Sequence, residues 1–162
     1  MTEECFDPYG EDSLCKVTKV SFGIIGDALD PDELTERMGV KPSRTLLKGQ
    51  LIPRSERVGG GFFPAASGMW RVSSESAVDS TSTERHAQYI INILEPHIHV
   101  LEEFLGKPEY STAASIWWQT DLMDGGFSLS GNTLSRLGRL CDRVNVHFLG
   151  GDKEVEGGRI VK

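Results

Sequence analysis

The sequence predicts an α+β domain, in which a ferredoxin-like (split βαβ) antiparallel sheet carries its helices on one face and is followed by an added C-terminal β-α-β extension. Three observations predict it. Segments with the two-residue period of a half-buried strand interleave with segments of helical period. Some strand links are of hairpin length, whereas others carry a whole helix. The elements fall in the order β-α-β-β-α-β-β-α-β, and the first six match the split βαβ arrangement.

The first strand begins after Lys16, where Val20, Phe22 and Ile24 alternate with Lys19, Ser21 and Gly23, and it stops at Gly26-Asp27. Asp30 then reads as an N-cap, with Pro31 at the first helical position and Glu33 completing a capping box. Leu29 and Leu34 fit a hydrophobic staple and Gly39 a left-handed stop, so a short helix is expected over 31–38. Thr45–Leu47 is a candidate strand, followed by the long loop GQLIPRSERVGGGFFPAASG, in which Gly59 to Gly61 imply mobility or a sharp bend. Met69–Ser73 is the next strand, with Trp70 and Val72 on one face, and 74–82 is a polar linker.

A long helix is expected from Thr81, paired with Glu84 in a capping box. Its stripe of Ala87, Ile91, Leu94, Ile98, Leu101 and Leu105 spans about five turns. Pro96 lies off that stripe and either kinks one helix or separates two. Ala113–Asp121 alternates as a strand, Asp124-Gly125-Gly126 as a turn and Phe127–Leu129 as a short strand. Ser130 caps a last helix whose inner face is Leu134, Leu137 and Cys141, with Leu129 and Leu134 as a second staple. Val144, Val146 and Phe148 form the final strand.

With 162 residues, 38% hydrophobic and 25% charged, the chain has the make-up of one globular domain. We divide it into a flexible acidic N-terminal arm at 1–14, a single α+β domain at 15–149 and a C-terminal tail at 150–162. The net charge of −7 argues against coating nucleic acid or anionic membrane through bulk charge. No apolar run approaches the ~20 residues of a membrane span. The acidic, Pro/Gly-broken start is unlike a secretory signal. Cys5, Cys15 and Cys141 follow neither a disulfide framework nor a zinc spacing, so reduced thiols and a cytoplasmic address are expected.

The blocks FGIIGDALDPDELTERMGVKPSRTLLKGQ, MWRVSS, ILEPHIHVLEEF and GGFSLSGNTLSRLGRLCDRVNVHF, in that order over about residues 20–148, resemble the bacterial domain of unknown function family 4279. The resemblance implies a small soluble domain without an assigned reaction, and it offers no catalytic positions to carry over.

No motif in the chain carries a reaction. His97 and His99 would share one side of a strand, but on the expected helix they point about 200° apart, so no metal site is read from them. His86 falls in the first turn of that helix and His147 on the outer side of the last strand. Asp121 and Asp124 have the separation in sequence that could divide acid and base roles, yet Asp before Gly is ordinary turn chemistry. Neither a G-x-S-x-G elbow nor a phosphate-cradling glycine motif is present.

Charge and aromatic placement say more. Residues 37–57 hold six cations, among them Arg44, Lys48 and Arg54, against Glu56 alone. That segment either balances the acidic helix at 30–36 or offers an edge to a small anion or an acidic partner. Trp70 and Trp118 share parity with core residues. Trp117 has the opposite parity, which places it on the uncovered sheet face with Arg71, Lys19 and Ser21 as neighbours.

The reading that follows is a non-catalytic binding or interaction module, of an immunity or regulatory type, with Trp117, Arg71, Arg44, Lys48 and Arg54 as candidate binding residues. It implies a protein partner or self-association, no cofactor and no membrane, and it disfavours nucleic acid. The alternatives are a small hydrolase using Asp121/Asp124 and a structural subunit of a homo-oligomer.

Overall fold

A computed structural model describes residues 10–12, 14–122 and 125–151. Along the chain lie β1 (Val17–Gly26), α1 (Pro31–Met38), β2 (Arg44–Leu46), β3 (Leu51–Pro53), β4 (Phe62–Pro64), β5 (Gly68–Ser73), α2 (Thr83–Leu94), α3 (Ile98–Leu101), β6 (Tyr110–Thr120), α4 (Gly131–Leu140) and β7 (Arg143–Gly150). The architecture is α+β. Five strands form one sheet in the order β2-β5-β1-β6-β7, and β3 and β4 form a separate hairpin. The first three pairings are antiparallel, whereas β6 and β7 run parallel, so the sheet is mixed and not wholly antiparallel as expected. The cause is connectivity: α4 returns the chain to the starting end of β6, and a helical crossover of that kind delivers a parallel strand.

Strand alternation sorts the side chains. Val20, Phe22 and Ile24 of β1, Trp70 and Val72 of β5, and Ala114 and Ile116 of β6 lie buried beneath the helices, and Trp118 on the same face of β6 is buried against Phe148 and Asp12. The helices close this side with Leu34 and Met38 of α1, Ile90, Ile91 and Leu94 of α2, and Leu137 and Leu140 of α4. At the start of α1 the Asp30 carboxylate accepts the N–H groups of Asp32 and Glu33, and Gly39 ends the helix at φ 61°. Trp70 is fully buried without being purely apolar, since its indole N–H donates to Thr35 Oγ1 across 3.0 Å. Gly68 is required by packing: a Cβ there would stand 2.6 Å from the Leu29 carbonyl oxygen.

Of the two forms left open at Pro96 the chain takes the second, with α2, a 3-10 turn at 95–97 and α3, because proline supplies no N–H to continue the ladder. Several local expectations are corrected. The N-cap of α2 is Ser82, not Thr81, and the Thr81–Glu84 box does not form. Glu84 is buried and turned to the other helix, where it accepts from Ser130 N (3.0 Å), Ser130 Oγ (2.9 Å) and Thr133 Oγ1 (2.5 Å). That anchorage rotates Thr133, Leu137 and Leu140 inward and leaves Leu134, expected in the core, 51% exposed. Residues 127–129 form no strand. The loop after β2 contains the β3–β4 hairpin, whose glycines 59 to 61 all take the left-handed φ that bulkier residues avoid.

Of the segment expected as an arm, residues 10–12 and 14 are described. Glu11 accepts from Ser80 Oγ (2.6 Å), from Thr81 N (2.6 Å) and Oγ1 (2.7 Å), and from Arg85 (2.6 Å). Asp12 accepts from the indole of Trp118 (3.1 Å), and the Leu14 carbonyl accepts from Thr120 Oγ1 (2.7 Å).

Two outcomes are expected. Trp118 is fully buried and stacks on Phe148 with ring centroids 5.0 Å apart, so Trp118→Ala should cost about 3–5 kcal/mol in urea unfolding. An Ala variant of native stability would contradict this packing. The Ser80 hydroxyl, helped by Thr81 and Arg85, holds the Glu11 carboxyl down to about 2 from an ordinary 4.5. A carboxyl depressed in the folded state stabilises fully above its unfolded pKa and loses that contribution as pH falls toward the folded value. Melting between pH 4.5 and 2 should therefore be less pH-dependent in Glu11→Gln than in the wild type, and equal slopes would refute the docking of Glu11.

Candidate functional site

The sheet face turned away from the helices is built from the odd-numbered residues of β1, β5 and β6, and the register stacks them in three cross-strand rows. Lys19, Trp117 and His147 form the first row, and Ser73, Ser21, Ser115 and Asn145 the second. The third is Arg44, Arg71, Gly23, Ala113 and Arg143. Small side chains therefore occupy the middle strands, with arginine at the β2–β5 edge and an aromatic group at the far end. This relief is a trough.

A pocket of about 300 Å³ lies in it, lined by Lys19, Ser21, Ser43, Arg44, Arg71, Ser73, Glu75 and Trp117. The indole of Trp117 stacks on the His147 imidazole, with centroids 4.0 Å apart and planes 11° apart. His147 covers the β7 side of the indole, and the pocket lies on the β1 side. Lys19 is bonded to Glu75 at 2.8 Å, which neutralises that cation. Arg44 and Arg71 face each other directly across neighbouring strands, and among the described residues neither guanidinium has a carboxylate partner.

Several other cations do have carboxylate partners, although Arg143 of the same cross-strand row donates to Ser111 Oγ and, among the described residues, forms no ion pair. Lys16 pairs with Asp121, Arg37 with Glu33 and Glu103, Arg85 with Glu11, and Arg136 with Glu95. Like charges placed directly opposite on adjacent strands destabilise a sheet. An oxyanion between two guanidiniums converts that repulsion into charge-assisted hydrogen bonding.

The structure thus gathers Trp117, Arg71 and Arg44 of the sequence-derived residues, together with Lys19 and Ser21. It does not bring Lys48 or Arg54 to them. Lys48 is bound to Asp27, whose carboxyl is lowered by this contact and by the Ser67 hydroxyl. Arg54 lies over the Phe63 ring of the hairpin at 5.5 Å. Ser43, Ser73, Glu75 and His147 were missed as site residues. Strand parity marks Ser73 and His147, but only the sheet order shows that both reach the same face as Trp117.

Several other candidates take ordinary structural roles. Asp121 is exposed and bound to Lys16, and Asp124 lies outside the described residues. His86 is buried, bonded through Nδ1 to Ser74 Oγ (2.7 Å) and through Nε2 to the Ser80 carbonyl (2.8 Å). Burial raises the Cys15 and Cys141 thiols, so neither is an activated nucleophile. Among the described residues, no group of three or more His, Cys, Asp or Glu side chains is placed to hold a metal, and no helix is long and apolar enough to cross a membrane. Exposed apolar side chains border both faces of this end of the sheet: Val146 (57%) and Phe148 (45%) on the helix side of β7, and Val17 (45%) and Leu149 (50%) in the row next to Trp117 on the open face.

Trp70 and Trp118 are fully buried and Trp117 is half-buried, so a collisional quencher reports on this pocket. Relative to free N-acetyltryptophanamide, iodide should quench more steeply than caesium at equal ionic strength, and the Arg44→Gln/Arg71→Gln variant should remove that excess. Equal quenching of the wild type by both ions on that scale would mean the pocket is not cationic.

The family model described as Domain of unknown function (DUF4279) matches residues 15–147. No curated protein and no solved structure matches the chain.

Proposed function

The chain belongs to the DUF4279 family, and on that footing we propose that it is a non-catalytic binding module that holds an oxyanion on the uncovered face of its sheet. The observation that carries this reading is the cross-strand pair Arg44–Arg71, two cations without a carboxylate partner among the described residues in a trough floored by serine hydroxyls. Arginine suits the role because its planar fork presents two parallel N–H groups to a phosphate or carboxylate. The local charge also makes sense of the chain as a whole, since a protein of net charge −7 keeps anions away except where cations are concentrated.

We place the module on a ferredoxin-like frame, because the antiparallel strands β2, β5, β1 and β6 follow the order in which each of two βαβ units is split by a strand of the other. In that frame the helices cover one side and the other is left for a ligand. A cytoplasmic address agrees with the free, buried thiols of Cys15 and Cys141. The hydrolase reading draws no support from Asp121, which is exposed and neutralised by Lys16.

Inorganic phosphate is the simplest probe. At ten times its Kd it should stabilise the native state by about 1.4 kcal/mol, or roughly 3–6 °C, relative to chloride at matched ionic strength. Arg44→Gln/Arg71→Gln should abolish the shift without loss of the fold. A wild type indifferent to phosphate, or a variant that keeps the full shift, would sink the proposal.

A further inference from the structure

The pocket that the preceding reading fills with an oxyanion is longer than an oxyanion needs. From the Trp117 row to the Arg71 row is four residues along the strand, roughly 13 Å. The arginine side chains shorten that span, but a separate aromatic end remains. Trp117 is held flat by His147 on one side, so a single ring face is presented to the pocket. A ring fixed in this way loses little freedom when a second ring stacks on it. Between the two ends, Ser21 and Ser73 offer hydroxyls that both donate and accept, and Gly23 and Ala113 leave the sheet low enough for a ligand to lie close.

We infer that the trough binds one small molecule in which a planar ring carries an oxyanion, of the size of a nucleoside monophosphate. The inference rests on the anion-binding reading and adds the ring. The ring stacks on Trp117, the connecting hydroxylated portion meets Ser21 and Ser73, and the oxyanion lies between Arg44 and Arg71. Lys19 stays with Glu75 and borders the ring. A volume of about 300 Å³ holds one such molecule and is at the small end of ligand pockets. A polyanionic chain is disfavoured, because Glu75 is among the lining residues and the protein as a whole is acidic.

The test is titration of the intact protein with adenosine 5′-monophosphate, adenosine, inorganic phosphate and a short oligoadenylate, followed by Trp117 fluorescence and calorimetry. The monophosphate should bind at least tenfold more tightly than either phosphate or adenosine. Trp117→Leu should reduce its affinity toward that of phosphate, and Arg44→Gln/Arg71→Gln toward that of adenosine. Melting curves check that each variant is folded, and the two sets of substitutions lie on different strands, so one can fail without silencing the other. Equal binding of phosphate and monophosphate, with no effect of Trp117→Leu, would overturn the ring and leave the oxyanion reading standing. Oligoadenylate binding more tightly than the monophosphate at equal phosphate concentration would overturn the small-molecule occupant in favour of a nucleic acid. No binding of any probe at millimolar concentration would overturn both readings.

Discussion

The antiparallel ladder between β1 and β6 is the constraint on which the rest of the structure depends. It pairs Val17 with Gln119 at one end and Gly26 with Tyr110 at the other, the longest pairing in the sheet. Because side chains alternate, one register decision places Val20, Phe22, Ile24, Ala114 and Ile116 under the helices. The same decision places Ser21, Gly23, Ala113 and Ser115 on the opposite face. A slip of one residue would exchange the two sets and bury a row of hydroxyls against apolar helices, at a cost no marginal domain could bear. The core and the trough are thus two sides of one register. A glycine in a strand interior gives up packing and rigidity. At Gly23 nothing forces it, since a Cβ there would meet only the Trp70 carbonyl oxygen at an ordinary 3.5 Å. What its smallness supplies is depth on the open face.

Charge is handled in two ways in this fold. Carboxylates that fix architecture are saturated with donors. Burial pushes the Glu84 carboxyl up, but the hydroxyl of Thr133, the N–H and hydroxyl of Ser130 and the amide of Gln88 outweigh it and leave it lowered. Asp142 likewise ties the Thr112 hydroxyl to the N–H of Gly106 and is lowered by those bonds. On the open face the balance reverses, and Arg44 and Arg71 stand opposite each other with no carboxylate between them among the described residues. Two guanidiniums facing one another beside a row of hydroxyls are the arrangement on which the anion-binding proposal rests.

How much of this was legible in the sequence follows from the range of the signals. β1, α1 and β6 are long or strongly capped, so alternation and the Asp30–Gly39 punctuation specify them locally. The opposite parity of Trp117 and Trp118 was readable for the same reason. Leu134 was misplaced because the staple pattern sees only its own helix, whereas the rotation of α4 is set by Glu84 from α2. The β3–β4 hairpin was hidden because each strand is three residues long and contains a proline. That hairpin also carries Arg54 away from Arg44, so a basic run that looks continuous in sequence is divided in space. The approach of His147 to Trp117 depends on the parallel pairing of β6 with β7, a register with no local mark in either segment.

The most direct measurement of the central claim is a proton–nitrogen NMR titration with inorganic phosphate, following the three indole and the arginine Nε–H resonances. The account predicts that the Trp117 indole and the Nε–H groups of Arg44 and Arg71 shift together and saturate, while the indoles of Trp70 and Trp118 stay in place. Unmoved Arg44 and Arg71 resonances at saturating phosphate, or shifts confined to the β3–β4 hairpin around Arg54, would contradict it.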